Sequence, residues 1–260
     1  NRWNWIVAVF VGVDLFIAGW GQNPSSQANF YAGEQLGRQE QLILNERIYI
    51  DEQSEYRLKF GRFLQFEDYR PVETWANMRT LNMPNVNILN GTASANNFDP
   101  LRPARYDEWM IYLSDLQESQ RLPWLNRMSV TLVEKAISED GRDVRMEAIE
   151  GSTRFAFYSC AIPAENNIEA WAKTINIVRN NSHQIVVEGE TGLSADCNLL
   201  NTDKISILFE QADRIVVAVD AVSNGWLYMA DTWYPRWQAD VDGTMVGVVR
   251  ANYAFQAVPV

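Results

Sequence analysis

The alternation of hydrophobic and polar positions changes rhythm several times along the chain. It begins with an apolar run from Trp3 to Trp20, whose centre reads IVAVFVGVDLFIAGW. As a helix this run spans roughly 27 Å at about 1.5 Å per residue, close to the hydrocarbon thickness of a bilayer. Trp3, Trp5 and Trp20 stand at its two ends, where aromatic anchors sit. The pattern predicts a transmembrane helix over 3–20. Asp14 departs from it, because an acid in the apolar zone is costly, and keeps a buried helix of a soluble core as the alternative. Arg2 ahead of the run favours a cytoplasmic N-terminus with the rest of the chain outside.

From Gly21 the rhythm is lost in GQNPSSQANFYAGE, and residues 22–54 read as a juxtamembrane linker with a short helix near 39–46. EYRLKFGRFLQF (55–66) reads as one or two strands around Gly61, and 82–100 as a long polar loop. A helix follows Pro103, with Trp109, Met110, Tyr112, Leu113 and Leu116 on one broad face. SVTLVEKAI predicts a strand, GRD at 141–143 a turn, and VRMEAIEGSTRFAFYSCAIP two more strands. Asn166 or Asn167 caps a helix in which Ile168, Trp171, Ile175 and Val178 share a face. QIVVEGE is a strand ahead of the loop TGLSADCNLLN.

Beyond Lys204 the period settles at two. Five short runs separated by turn residues at about 8–12-residue spacing are the mark of a β-sandwich. Asp242–Gly243, between two alternating runs, predicts a two-residue I′ hairpin; DVDGT opens like a calcium loop, but TMVGVVR lacks the later ligands. The expected fold is therefore α+β and β-rich. It has a transmembrane segment (1–21), a linker (22–54), a mixed α/β region (55–200) and a C-terminal sandwich (201–260) of the jelly-roll or carbohydrate-module kind.

Composition narrows the chemistry. A net charge of −11 argues against a nucleic-acid partner, which calls for a clustered basic face. The single histidine, His183, excludes His-rich metal sites and reads as a surface residue, and neither a metal nor a cofactor is called for. Cys160 and Cys197 lack zinc spacing and are a candidate disulfide pair. No nucleotide-binding, metalloprotease or acyl-transfer motif occurs, and the spacing of the 33 acids singles out no glycosidase pair. With 10 Trp and 10 Tyr, the chain is rich in aromatics. Trp226, Tyr228, Trp233 and Trp237 are candidates for a sugar-stacking platform, set against the alternative that they fill a sandwich core.

The run GWLYMADTWYPRWQADVDGTMVGVVRANYAFQAVPV, Gly225 to Val260, resembles the C-terminal extracytoplasmic region of the YfhO family of bacterial polytopic membrane proteins. The matching residues are Asp231, Tyr234, Pro235, Trp237, Val241, Asp242, Gly243, Arg250, Ala251, Asn252 and Tyr253. Upstream, NFDPLRPARYDEW is similar to the family's segment before a helix, at Asp99, Pro100, Leu101 and Tyr106. VDLFIAGWGQNP is similar to its last hydrophobic helix. Arg236 stands where the family's Tyr-Pro-Gly-Trp turn has glycine. The family also adds a closing strand beyond the position of Val260, so the resemblance implies an open sheet edge at the end of these residues.

The resemblance implies kinship with transferases that use lipid-linked sugars in cell-envelope glycosylation. Their many membrane helices and acidic catalytic loop have no counterpart in these residues. The expectation is a non-catalytic extracytoplasmic domain, held to the lipid bilayer by residues 3–20, that binds or positions a glycan. The alternative is a membrane-anchored structural subunit docking on a larger membrane protein complex.

Overall fold

The first helix, α1 (Arg2–Gly19), is long and apolar enough to cross a membrane, and none of its residues is buried. It belongs to a computed structural model that describes residues 2–19, 47–64, 75–96, 101–189, 204–211 and 213–260. The expected helix at 39–46, most of the linker and the loop at 191–201 lie outside those residues. The chain divides into two compact units interleaved in sequence: Asn1–Phe98 with Leu132–Ala148, and Asp99–Thr131 with Ile149–Val260.

In the first unit a four-stranded sheet runs β2-β1-β3-β4, made of β1 (Arg47–Ile50), β2 (Ala93–Ser94), β3 (Leu132–Ala136) and β4 (Val144–Ala148). β1 is parallel to both of its neighbours, whereas β3 and β4 form the antiparallel hairpin whose turn contains Gly141 at φ +67°. Residues 47–54 are thus strand and helix start, not linker. Asp51 caps the helix α2 (Glu52–Tyr56), accepting from the Ser54 backbone N–H at 3.0 Å.

The stretch expected to be strands continues α2 as a π-helix, Arg57–Phe63. Its apolar residues do not point to alternate sides. Leu58 and Phe63 turn to one side and join Ile48, Ile50, Met78, Met83 and Ala136 in the core. Arg57 and Arg62 fasten the helix to the carbonyls of Ala136 and Gly141, both at 3.0 Å. The short helix α3 (Trp75–Thr80) carries Met78, and the polar stretch after it contains a 3₁₀ turn, Asn87–Asn90, and β2.

The second unit is built on a six-stranded sheet, β5-β10-β14-β13-β7-β6. Its strands are β5 (Phe155–Tyr158), β6 (Ala161–Ala164), β7 (Ile185–Glu188), β10 (Trp226–Met229), β13 (Val249–Ala251) and β14 (Phe255–Pro259). Here α6 (Asn167–Arg179) connects β6 to its parallel neighbour β7; the remaining pairs are antiparallel. Asn166 caps α6 by accepting from the Glu169 N–H at 3.0 Å. The face of α6 that is buried carries Ala170, Thr174, Ile177 and Val178, while Ile168, expected inward, is exposed. One residue of phase separates the two readings.

Strand β14 lies inside the sheet, paired to β10 on one side and β13 on the other. Among the described residues the outer strands of this sheet are β5 and β6, and β14 is internal. Helices α4 (Ala104–Asp115) and α5 (Glu118–Arg127) join α6 over an aromatic core. Trp109 meets Trp124 at 4.7 Å and Phe255 at 4.9 Å between ring centroids, and Trp171 meets Tyr253 at 4.8 Å. The Tyr228 hydroxyl, inside this core, donates to the Arg127 carbonyl at 2.6 Å. Phe155 and Phe157 alternate to the other face of the sheet. Thr153–Phe157 line a cleft of about 450 Å³ with Ile205 and Ile207 of the hairpin β8 (Lys204–Glu210) and β9 (Ile215–Asp220).

The second hairpin, β11 (Ala239–Val241) and β12 (Thr244–Val246), has the turn that the sequence predicts. Asp242 and Gly243 both adopt positive φ, +52° and +85°, as a I′ turn requires. The Asp240 carboxylate accepts from the Gly243 N–H at 2.8 Å, so it serves the turn. Arg236 also finds an explanation. Tyr234–Trp237 is a turn closed by the Trp237 N–H to the Tyr234 carbonyl at 3.3 Å, and Arg236 is not among the residues with positive φ. A side chain is accommodated there without strain.

Candidate functional site

Within the Gly225–Val260 stretch, the loop between β13 and β14 holds an unusual backbone. Asn252 and Tyr253 adopt left-handed backbone, with φ of +44° and +71°. Such backbone is costly for a residue with a side chain unless its surroundings hold it. Asn252 is fully buried and acts as a substitute strand residue: its N–H donates to the Val186 carbonyl at 2.8 Å, and its Oδ1 accepts from the Val186 N–H at 3.0 Å. Tyr253 is held by its ring, against Trp171 and beneath the Arg105 guanidinium at 4.9 Å, and by its hydroxyl, which donates to Glu108. Burial, with the Glu108 carboxylate beside it, pushes the Tyr253 phenol up to about 12.

Around this loop lies a row of charged and aromatic groups. Arg105, in the first turn of α4, sits where the helix dipole disfavours a cation. The Glu188 carboxylate offsets this by accepting from it, and the Tyr253 carbonyl accepts from the same nitrogen at 3.3 Å. Arg250, two residues before Asn252, stacks over the Trp233 ring with its Cζ 3.9 Å from the centroid. Burial and the like charge of Arg105 pull its pKa down. Trp233 is fixed in turn: its N–H donates to the Ala254 carbonyl at 2.9 Å and its indole Nε1–H to the Val248 carbonyl at 3.2 Å. The arrangement offers a half-exposed aromatic surface beside guanidinium donors and carboxylate acceptors.

The sequence candidates do not stand together. Trp226 and Tyr228 share a face as strand alternation requires, but they are 5% and 2% exposed. Rings so deeply buried present no face to a sugar and belong to the core. Trp233 and Trp237 are half-buried and remain accessible. Sequence reasoning missed Arg105, Glu108 and Glu188, which come from elements distant in the chain. The signal that was present is Arg250-Ala-Asn-Tyr253, where an asparagine apt for left-handed backbone follows a charged strand residue. Cys160 is buried and disulfide-bonded, and Cys197 lies outside the described residues. His183 is exposed, as expected.

In the first unit the outlying titratable group is Glu134, 1% exposed on β3 between Ile50 and Met146. Neither carboxylate oxygen has a hydrogen-bond partner, and burial pushes the group up to about 8. Among the described residues no group of three or more His, Cys, Asp or Glu side chains is disposed to hold a metal ion. Compared with protein-family models, with curated proteins and with solved structures, the chain has no match.

Proposed function

We propose that the chain is a non-catalytic, membrane-tethered module of the bacterial cell envelope whose second unit binds or positions a glycan, like the extracytoplasmic region of a YfhO-like protein. The observation that carries this reading is the half-exposed Trp233 bearing Arg250, with Glu188 and Arg105 alongside. Sugars are bound by apolar stacking of their C–H faces together with planar donors and acceptors at their hydroxyls, and this row combines both. The six-stranded sheet, with the β8–β9 hairpin against Phe155 and Phe157, is then a carbohydrate-module-like sandwich. Helix α1 is its anchor, about 27 Å long and matched to a bilayer core, with the remainder of the chain on the outer side. Any transfer chemistry belongs to a partner or to another part of the protein.

The second reading, an accessory subunit docking on a larger membrane complex, draws on one observation. Ile207, Leu208 and Phe209, consecutive residues of β8, are all exposed, and clustered exposed apolar side chains are a feature of contact sites.

A glycan array followed by calorimetric titration, on the full chain in a bilayer nanodisc, tests the first reading. Binding in the wild type that is lost in Trp233→Ala, while the variant still unfolds in one cooperative transition above the assay temperature, supports it. No binding to any glycan sinks it. Extraction of the chain from membranes by alkaline carbonate would remove the anchor.

A further inference from the structure

We infer that the glycan held at Trp233 is acidic, carrying a carboxylate or phosphate group that Arg250 grips with the edge of its guanidinium. The inference rests on the glycan reading above and adds to it the chemical class of the ligand.

Arg250 differs from the other inward guanidiniums of its unit. Arg105 donates to Glu188, Arg127 to the Tyr158 hydroxyl and the Ser182 carbonyl, and Arg154 to Asp231 and Glu210. Among the described residues the Arg250 side chain makes no hydrogen bond. Its nearest acid, Glu188, is 3.9 Å away, beyond bonding distance, and is already engaged by Arg105. A guanidinium has five N–H donors in a fixed plane, matched to two oxygens of a carboxylate or phosphate. Stacking on Trp233 occupies the flat face of that plane and leaves its edge for in-plane bonds.

The charge is also under-compensated. Arg250 is one-third exposed, and both its partial burial and the nearby Arg105 act against its cationic form. An arriving anion relieves that disadvantage, whereas a neutral hydroxyl does so weakly. The residue is held in place before any ligand arrives. Its strand β13 is paired on both sides, and the left-handed pair Asn252–Tyr253 fixes the turn that follows. Little ordering entropy remains to oppose binding.

Three oligosaccharides of matched length, one neutral, one bearing a uronate and one bearing a phosphate, test the inference by calorimetric titration of the full chain. At least one acidic sugar is expected to bind about tenfold more tightly than the neutral one, or better; which of the two does so identifies the anion. Arg250→Gln should erase that preference, and Arg250→Lys should recover only part of it, since an ammonium keeps the charge without the fork. Arg236→Gln, an equal change of charge at an exposed turn, should leave it intact. Thermal unfolding reports whether each variant is folded. Equal binding of neutral and acidic sugars, or a preference that survives Arg250→Gln, overturns the inference and leaves the glycan reading standing. Binding to none of the three removes the reading itself.

Discussion

Arg154 holds Asp231 with two nitrogens: Nε lies 3.2 and 3.1 Å from the carboxylate oxygens, and Nη2 is 2.6 Å from Oδ2. The pair joins the start of β5 to the end of β10, at the point where the chain leaves the sheet for the Thr232–Pro235 loop. Glu210 accepts from the remaining arm and ties in the end of β8. Burial works against the Arg154 charge, but the two carboxylates outweigh it and hold its pKa above the ordinary value. Asp231 therefore serves the architecture.

Replacing Asp231 with Ala should cost about 1.5–3 kcal/mol, the range for charge-assisted bonds to a partly buried partner. A double-mutant cycle with Arg154→Ala, read by chemical denaturation, isolates the coupling. Additive losses would mean that the two side chains contribute independently, contrary to their geometry. Glu210→Gln, at a more exposed carboxylate, should cost less than 1 kcal/mol.

Asn252 gives a graded prediction. Ala at this position loses the bond to the Val186 N–H and keeps the strained backbone, so it should destabilise by about 2–4 kcal/mol. Gly loses the same bond but adopts φ of +44° freely. Thermal unfolding should rank wild type above Asn252→Gly and Asn252→Gly above Asn252→Ala. If Gly were the worse of the two, the side-chain bond, and not backbone strain, would account for the whole effect.

These two sites show why only part of the molecule is legible in its residues. The Asp242–Gly243 turn, the Asn166 cap and the apolar length of α1 are decided by neighbours in the chain, and each follows from a few adjacent side chains. Residues 57–63 did not follow. Their strand-like alternation is overridden by a core that draws Leu58 and Phe63 to one side. The six-stranded sheet was equally hidden, because its order interleaves strands from 155–188 with those from 226–259. Arg250 was visible as a motif residue, but its role depends on Trp233, Glu188 and Arg105, brought near it only by folding.

Glu134 links stability to pH. Its carboxyl has an ordinary pKa near 4.5 when the chain is unfolded and one of about 8 when it is buried. Between those values the folded protein carries one more proton than the unfolded chain. Stability attributable to this group is therefore full below pH 4.5 and declines as pH rises towards 8. The slope is at most about 1.4 kcal/mol per pH unit. Glu134→Gln removes the titration, so the difference in melting temperature between variant and wild type should widen from pH 5 to pH 8 in favour of the variant. A constant difference across that range would show that Glu134 does not take up a proton on folding.

Gly225 is required for space. Its φ is not in the left-handed region, but a Cβ there would come within 2.7 Å of the Tyr158 carbonyl oxygen and 2.8 Å of Phe157 Cε2. Both obstacles belong to β5, and the carbonyl, being backbone, cannot rotate aside. Gly225→Ala should force β5 and β10 apart and cost about 1–3 kcal/mol, as overpacking does. Amide hydrogen exchange provides the check, with faster exchange expected at Trp226 and Tyr158. Unchanged protection in the variant would show that the strands accommodate a methyl group.

Trp226 and Trp233, seven residues apart and of one type, should behave in opposite ways. Trp226 is 5% exposed and belongs to β10, so its loss leaves a large cavity; Trp226→Ala should cost about 3–5 kcal/mol and impair any ligand binding only by weakening the fold. Trp233 is half-exposed, and its main-chain N–H bond to Ala254 survives truncation of the side chain. Trp233→Ala should therefore cost less, about 1–2 kcal/mol for the lost indole bond and Arg250 stacking, while abolishing glycan binding. Denaturation midpoints measured beside glycan titrations separate the two effects. A Trp233→Ala protein that still binds would make the ring another piece of architecture, and a Trp226→Ala protein of undiminished stability would contradict its place in the core.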